Sequence, residues 1–222
     1  MKKLFIFLFL GFGNTLFAQS NKTSNNFDLS IGVGSGVTSP SLAWTHNHGL
    51  GKKKNFKIGY GIRFNTFSGK NLDYSTAPAN LTAKPETIDT FRVVSAKHNS
   101  ITALINLQYS FGKKLDVGFN IDVVGLDFGK TITGTYISAG KSTQQSAAPT
   151  KNNLLLMGDN DRGLVNSEFY LKYWINSKMA IKAGASYIFT EYTTQNKLAS
   201  NNDRFRNKSM IGLIGISFSP SK

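Results

Sequence analysis

From residue 101 to residue 123 apolar and polar positions alternate on both sides of a short break. Ile101, Ala103, Ile105, Leu107, Tyr109 and Phe111 are apolar, with Thr102, Asn106, Gln108 and Ser110 among the residues between them. Gly112-Lys113-Lys114 interrupts the pattern. It resumes with Leu115, Val117, Phe119, Ile121 and Val123 against Asp116, Gly118, Asn120 and Asp122. A period of two on either side of a Gly-containing turn predicts a β-hairpin. Each arm is about ten residues, the length a tilted membrane-spanning strand needs. Two readings follow. In a soluble sandwich the apolar face is the core; in a membrane barrel it meets lipid and the polar face lines the interior. The hairpin by itself does not choose between them.

The same period recurs along the chain. Residues 27–34 alternate, with small or polar residues on one face, and Thr38-Ser39-Pro40 is expected to turn the chain. Leu42 and Trp44 share a face on a second strand. Phe56, Ile58, Tyr60, Ile62 and Phe64 alternate with Lys57, Gly59, Gly61, Arg63 and Asn65 on a third. Residues 68–97 read as a long polar loop. After the central hairpin comes a second long polar segment, 130–162. Val165, Phe169, Leu171, Tyr173 and Ile175 then mark strand six, and Met179, Ile181, Ala183, Ala185, Tyr187 and Phe189 mark strand seven. A loop from 193 to about 206 leads to a last strand holding Met210, Ile214, Ile216 and Phe218. Ile211 and Leu213 lie on its other face, so its parity is ambiguous. The count is eight. Joins after strands two, four and six are short and those after three, five and seven are long, while the first join, near Pro40, is short and departs from the rule. That layout predicts an all-β, eight-stranded, antiparallel up-and-down transmembrane β-barrel.

Aromatics sharpen this expectation. Phe56, Tyr109, Phe111 and Tyr173 stand beside the short turns, and Phe64, Phe189 and Tyr192 stand at the opposite strand ends. Two aromatic girdles around an aliphatic middle are what the two faces of a bilayer select.

Composition changes the picture in three ways. Met1-Lys2-Lys3, a short apolar run from residue 4 to residue 12, and a more polar stretch ending at Ala18 read as a secretory signal. The expected organisation is a signal at 1–18, a short leader at 19–26 and a barrel domain at 27–222. The chain contains no cysteine, which excludes disulfides, thiolate nucleophiles and cysteine metal sites. The formal net charge is +14. An exported protein has little access to nucleic acid, so anionic lipid head groups are the expected counter-charge. Lys52, Lys53, Lys54, Lys113, Lys114 and Lys178 gather at the short turns, where each is worth about 1 kcal/mol near an anionic surface.

With the polar faces turned inward, the interior holds Lys57, Arg63, Lys172 and Lys182 against Asp116, Asp122 and Glu168. An eight-stranded barrel has room inside only for side chains. Charges confined there must pair, since an unpaired buried charge costs several kcal/mol. A plugged interior without a diffusion pore is the expectation.

Little else in the chain carries chemistry. His46 and His48 have no acidic or third histidine partner close in sequence, and no metal or cofactor is expected. His98-Asn99-Ser100 resembles the His-x-Ser pair that lipid A deacylases, themselves barrels, carry on their lipid-facing wall, so His98 and Ser100 are weak candidates for a lipid-modifying enzyme. A non-enzymatic role is the leading expectation. Around Gly112 and Lys113, Val94 falls opposite Thr131 and Ile88 opposite Ile137. These segments are expected to pair into a sheet raised above the outer surface, with a bulge near Val124-Gly125. Such a sheet would offer backbone edges to another protein.

Taken together, strand number, alternation and loop layout resemble the small outer-membrane β-barrels of the OmpX and OmpA-barrel type. That resemblance implies an integral outer-membrane protein in contact with outer-membrane lipid, whose surface loops bind another envelope or surface protein or a polymer. It also leaves room for a small barrel subunit of an envelope export or surface-motility complex.

Overall fold

The structure, a computed structural model, describes residues 23–156 and 160–220. The expected signal at 1–18, and the first part of the leader, lie outside the described residues. Eleven strands account for most of the rest: β1 (Thr23–Gly34), β2 (Val37–Leu50), β3 (Phe56–Thr76), β4 (Thr90–Phe111), β5 (Leu115–Phe128), β6 (Ile132–Ser138), β7 (Lys141–Pro149), β8 (Asn152–Leu154), β9 (Val165–Trp174), β10 (Met179–Thr194) and β11 (Arg204–Phe218).

Eight of them close a ring. β1 pairs with β2, β2 with β3, β3 with β4, β4 with β5, β5 with β9, β9 with β10, β10 with β11, and β11 returns to β1, every pair antiparallel. The chain is an eight-stranded up-and-down β-barrel. Closure leaves this ring without an unpaired edge. The turns at 51–55, 112–114 and 175–178 mark one end, called lower here, and the long connections mark the upper end. Around the lower ring each strand turns its apolar positions outward. Leu29, Leu42, Ile62, Ile105, Phe119, Leu171, Ile181 and Ile214, one from each strand, are all exposed. The ambiguous last strand resolves the same way: Met210, Ile214, Ile216 and Phe218 face out, while Ile211 and Leu213 are buried.

The central hairpin closes with Phe111 opposite Leu115 across a three-residue turn, where Gly112 takes a left-handed φ of 63°. The expected bulge is present one residue earlier, since the register shifts between Ala103 and Leu104 and leaves Val123 as the extra residue. Four other readings of the chain are corrected. β1 starts at Thr23, inside the expected leader. The first turn is at Ser35-Gly36, with Gly36 at φ 68°, and Pro40 lies within β2 opposite Ile31. Proline has no N–H for a ladder bond, and the β2–β3 pairing skips Ser39 and Pro40 accordingly. The supposed loop at 68–97 is mostly strand, as β3 runs to Thr76 and β4 begins at Thr90. The supposed loop at 130–162 contains β6, β7 and β8.

These extensions build a second ring on top of the first. At the upper end β3 pairs with β4, β4 with β6, β6 with β7, β7 with β10, β10 with β11, and β11 with β3 through Phe205 opposite Thr76 and Arg206 opposite Ser75. β1 and β2 stop at their short turn, β5 and β9 stop below, and the β6–β7 hairpin takes a place between β4 and β10. The raised sheet is thus the wall of a six-stranded ring. Its β4–β6 pairing joins Thr90 to Ile137 and Arg92 to Thr135, two residues from the expected register. One residue of that offset is the third turn residue at 112–114, and the other is the bulge at Val123.

The upper ring has its own core. Phe67, Tyr74, Phe91, Val93, Tyr136, Leu164, Tyr192 and Phe205 are buried together, with Leu198 packed against them. The ring of Phe91 lies 5.5 Å from that of Phe205. Both β3 and β4 reverse which parity faces inward at the junction. On β3, Lys70 and Asn71 are consecutive exposed residues; on β4, Val94 and Ser95 are. Asn71 accommodates the change in the left-handed region, φ 53°, where Asn is tolerated better than most residues.

Candidate functional site

The interior of the lower ring is a chain of alternating charges. Arg63, on β3, reaches Asp122 on β5 at 3.0 Å and Glu168 on β9 at 3.2 Å. Glu168 receives Lys182 of β10 at 2.8 Å; Lys182 also contacts Asp28 of β1 at 3.2 Å, and Asp28 receives Lys172 of β9 at 2.8 Å. Each side chain points inward because it alternates with a lipid-type residue on its strand, and all six are essentially without solvent contact. Three acids balance three bases. Polar neighbours take up part of the remaining capacity: Asn120 accepts from Arg63 and donates to Glu168 at 3.1 Å, and Ser217 donates to Asp28. Tyr170 lies over Gly118, where an added Cβ would sit 2.3 Å from the ring. Its hydroxyl donates to Asn106 at 2.6 Å, and the ammonium groups of Lys172 and Lys182 stand 5.0 and 4.8 Å from its ring centroid.

The structure therefore brings together Arg63, Asp122, Glu168, Lys172 and Lys182. Asp116 sits lower, accepting from Gln108 at 3.0 Å and from the Trp174 indole at 2.6 Å. Lys57 lies lower still, at the mouth. Asp28 was missed. Its signal was there, an acid alternating with Phe27 and Leu29, but the small residues that follow it on the same face hid it.

His98 and Ser100 are fully buried and face inward, so neither is offered to a lipid acyl chain on the outer wall. The carboxylate beside His98 is Asp127, whose Oδ2 lies 2.8 Å from Nδ1. Tyr74 Oη is 3.5 Å from Nε2 and 3.0 Å from Thr190 Oγ1, and the Tyr192 ring packs 4.4 Å from the imidazole. This cluster sits where the polar interior meets the apolar upper core. Higher up, burial pushes the Tyr136 hydroxyl above its ordinary range, and it donates to Asp89 Oδ2 at 2.7 Å.

Of the girdle aromatics, Phe56, Phe64, Tyr109, Phe111 and Tyr173 are exposed on the outer wall. Phe189 and Tyr192 are buried, which corrects their placement. Tyr192 has inward parity and belongs to the upper core. Phe189 is covered by Arg206, whose guanidinium lies 5.0 Å over its ring. Arg206 and Arg204 in turn bind Glu191 at 3.0 and 2.7 Å and donate to the Asp161 carbonyl. The long β7–β9 connection thus packs on the barrel's outside, a contact between distant segments that no local pattern announces. An unforeseen interfacial cluster lies near the lower end of β2 and β3: Trp44, His46 and His48 gather around Tyr60, each within 6.3 Å of it.

Of the basic residues expected at the short turns, Lys53, Lys54, Lys113 and Lys114 line a cavity at the lower mouth together with Lys57. Lys52 and Lys178 stand on the same turns outside its lining.

No protein-family model matches the chain, and no curated protein matches it. Among solved structures it is similar to Neisserial surface protein A, at 9% identity and a TM-score of 0.36, over 88% of this chain and 94% of that one. It is likewise similar to Ail, the attachment invasion locus protein of Yersinia pestis, in complex with the heparin analogue sucrose octasulfate. There the identity is 10% and the TM-score 0.36, over 89% of this chain and 97% of that one. The toluene transporter TbuX of Ralstonia pickettii follows at 7% identity and a TM-score of 0.24, over 90% and 89% of the two chains. The barrel assignment rests on the strand pairings themselves.

Proposed function

We propose that the chain is an integral outer-membrane barrel of non-enzymatic, interaction type, closed to diffusion, that presents its upper ring to a partner at the cell surface. The observation that carries this is the exposed apolar belt. On β4 it runs from Ile101 to Phe111, exposed at every outward position. At about 3.3 Å per residue and a tilt of about 40°, that stretch rises roughly 25 Å, the height of the apolar band of outer-membrane barrels. Soluble monomers rarely expose a contiguous apolar patch above a few hundred Å², and this belt encircles the molecule. The signal-like residues at 1–18 support export.

Closure to diffusion follows from the paired interior and the packed core above it. In planar bilayers the purified protein is expected to give no stable ion-sized openings. In cell fractionation it is expected in the outer membrane, folded and heat-modifiable on gels. Recovery as a detergent-free soluble monomer would end this reading.

The contact surface we favour is the β6–β7 hairpin. It turns at Ser138-Ala139-Gly140-Lys141, with Ala139 and Gly140 at φ 47° and 75°. β7 meets β10 only near its end, at residues 147–149, so among the described residues the exposed stretch 141–144 has β6 as its single strand neighbour. An open edge of that kind takes an added strand from another chain. A photo-crosslinker at Thr143 in intact cells is expected to trap one partner protein. The same experiment tests membership of an export or motility complex, which would show as trapped envelope components.

A further inference from the structure

The lower mouth is a blind cavity of about 500 Å³, walled by three short turns and the start of β1. Lys53 and Lys54 enter from the β2–β3 turn, Lys57 from the first inward position of β3, and Lys113 and Lys114 from the β4–β5 turn. Trp174 and Ile175 give it an apolar side, and Ser24, Asn55, Ser110, Asn176 and Ser177 supply hydroxyl and amide groups. Among the described residues, none that lines it is acidic. The floor is fixed, because the Trp174 indole is tied to Asp116 and the ionic chain fills the barrel beyond it.

The ammonium groups of Lys53, Lys113 and Lys114, facing one space, repel one another. The repulsion is stronger where the walls exclude water. An anion that enters relieves every such pair at once. Walls of low polarity focus this field into the cavity, and the volume lies within the range of small-ligand sites, about 300–1,000 Å³. Lysine binds phosphate as a point charge that need not be met bidentately, so a rim of lysines suits a phosphate group of variable approach.

We propose that this mouth binds a phosphate ester, its phosphate among Lys53, Lys54, Lys113 and Lys114 and its organic part against Trp174 and Ile175. The phosphate belongs either to a free phosphorylated molecule below the membrane or to the head group of a lipid in the lower leaflet. The site goes beyond the surface-binding role proposed above, and its test in micelles stands without it.

The protein has two tryptophans, Trp44 and Trp174. Trp44→Phe leaves Trp174 as a reporter inside the cavity. In uncharged micelles at low salt, the W44F protein is titrated with pyrophosphate and with glycerol 3-phosphate. In parallel, it is placed in nanodiscs of phosphatidylcholine with and without phosphatidylglycerol. Saturable change in Trp174 emission with the soluble phosphates identifies a free ligand; a change only with phosphatidylglycerol identifies a lipid head group. In either case, the K53Q/K54Q/K113Q/K114Q protein is expected to bind at least tenfold more weakly while keeping its heat-modifiable gel shift. No saturable response in either arm overturns the site, as does an equal response to chloride at matched ionic strength. An undiminished response in the fourfold variant would also overturn it.

Discussion

The two rings share four strands and have opposite polarity. In the lower ring all four turn apolar side chains outward, and β3 and β10 add Arg63 and Lys182 to the ionic interior. In the upper ring the same strands hold Phe67, Tyr74, Phe91, Tyr192 and Phe205 inside, and β3 and β4 carry Asp73 and Arg92 outside. Each ring is the solution for a different surrounding. Where hydrocarbon lies outside, burying an apolar core gains nothing from water, and the interior is filled by groups that satisfy one another. Where water lies outside, the hydrophobic effect returns and a conventional core forms. Strand pairing is indifferent to which face is greasy. On β3 and β4 the phase of alternation reverses, through one left-handed residue and two pairs of consecutive outward positions, whereas β10 and β11 keep their phase and change the residues on the inward face.

The largest expected effects test whether the two interiors fail differently. Arg63→Met leaves Asp122 and Glu168 without their shared partner and is expected to cost about 3–5 kcal/mol in urea unfolding from lipid vesicles. Adding Asp122→Leu is expected to recover much of that loss, because Glu168 retains Lys182. Phe205→Ala is expected to cost a similar ~3–5 kcal/mol, but only in the upper ring. Limited proteolysis would then cut the β6–β7 hairpin while the lower ring stays protected, whereas a single common transition for both rings would show them to be one cooperative unit.

The outer walls give the next contrast. Ile105→Arg, in the middle of the belt, is expected to cost about 2–4 kcal/mol in vesicles. Val94→Arg is expected to be close to neutral, since Val94 is 70% exposed on the water-facing wall of the upper ring. Equal costs would break the comparison. At the junction, Asn71→Val places a β-branched residue at φ 53° and is expected to cost about 1–3 kcal/mol, with Asn71→Gly tolerated. The smallest effect concerns Asp73. Its hydrogen bond from Arg92 holds the carboxyl below the usual carboxylate range. Its contribution is therefore complete above the unfolded value of about 3.9 and fades as pH falls through the lower folded value. Asp73→Asn and the parent are expected to differ slightly at pH 7 and to converge in strong acid. Both groups are exposed, so the difference should be the least in the series.

The lower ring was largely legible in the chain, because a single phase of alternation runs through residues such as 101–111 and 165–173 and fixes both walls. Inward placement of Arg63 and Glu168 follows from parity alone. Which charges meet does not, as Asp28 and Lys172 lie 144 residues apart. The upper ring was only partly legible. Residues 88–94 and 131–137 have strand-forming side chains, and their partnership was foreseen. β7 was not, since Lys141-Ser142-Thr143-Gln144-Gln145 has the composition of a loop and lies in a strand through pairing with β6. Residues 68–76 misled for a related reason: polar residues on a water-facing wall, after a phase reversal, look like the absence of structure. Phe189 and Tyr192 misled because aromatic composition marks a membrane interface and a packed core equally well.

The reversal at Asn71 and Val94 has one more implication. Because the outward positions change from oil-loving to water-loving there, the junction works as a waterline drawn on the molecule. Inserting or deleting a pair of residues at that level in β3, β4, β10 and β11 together, the four strands that cross it, would change how high the upper ring stands above the belt while keeping their pairing with one another. The height of the apolar belt is thus written in the spacing between that line and the lower turns.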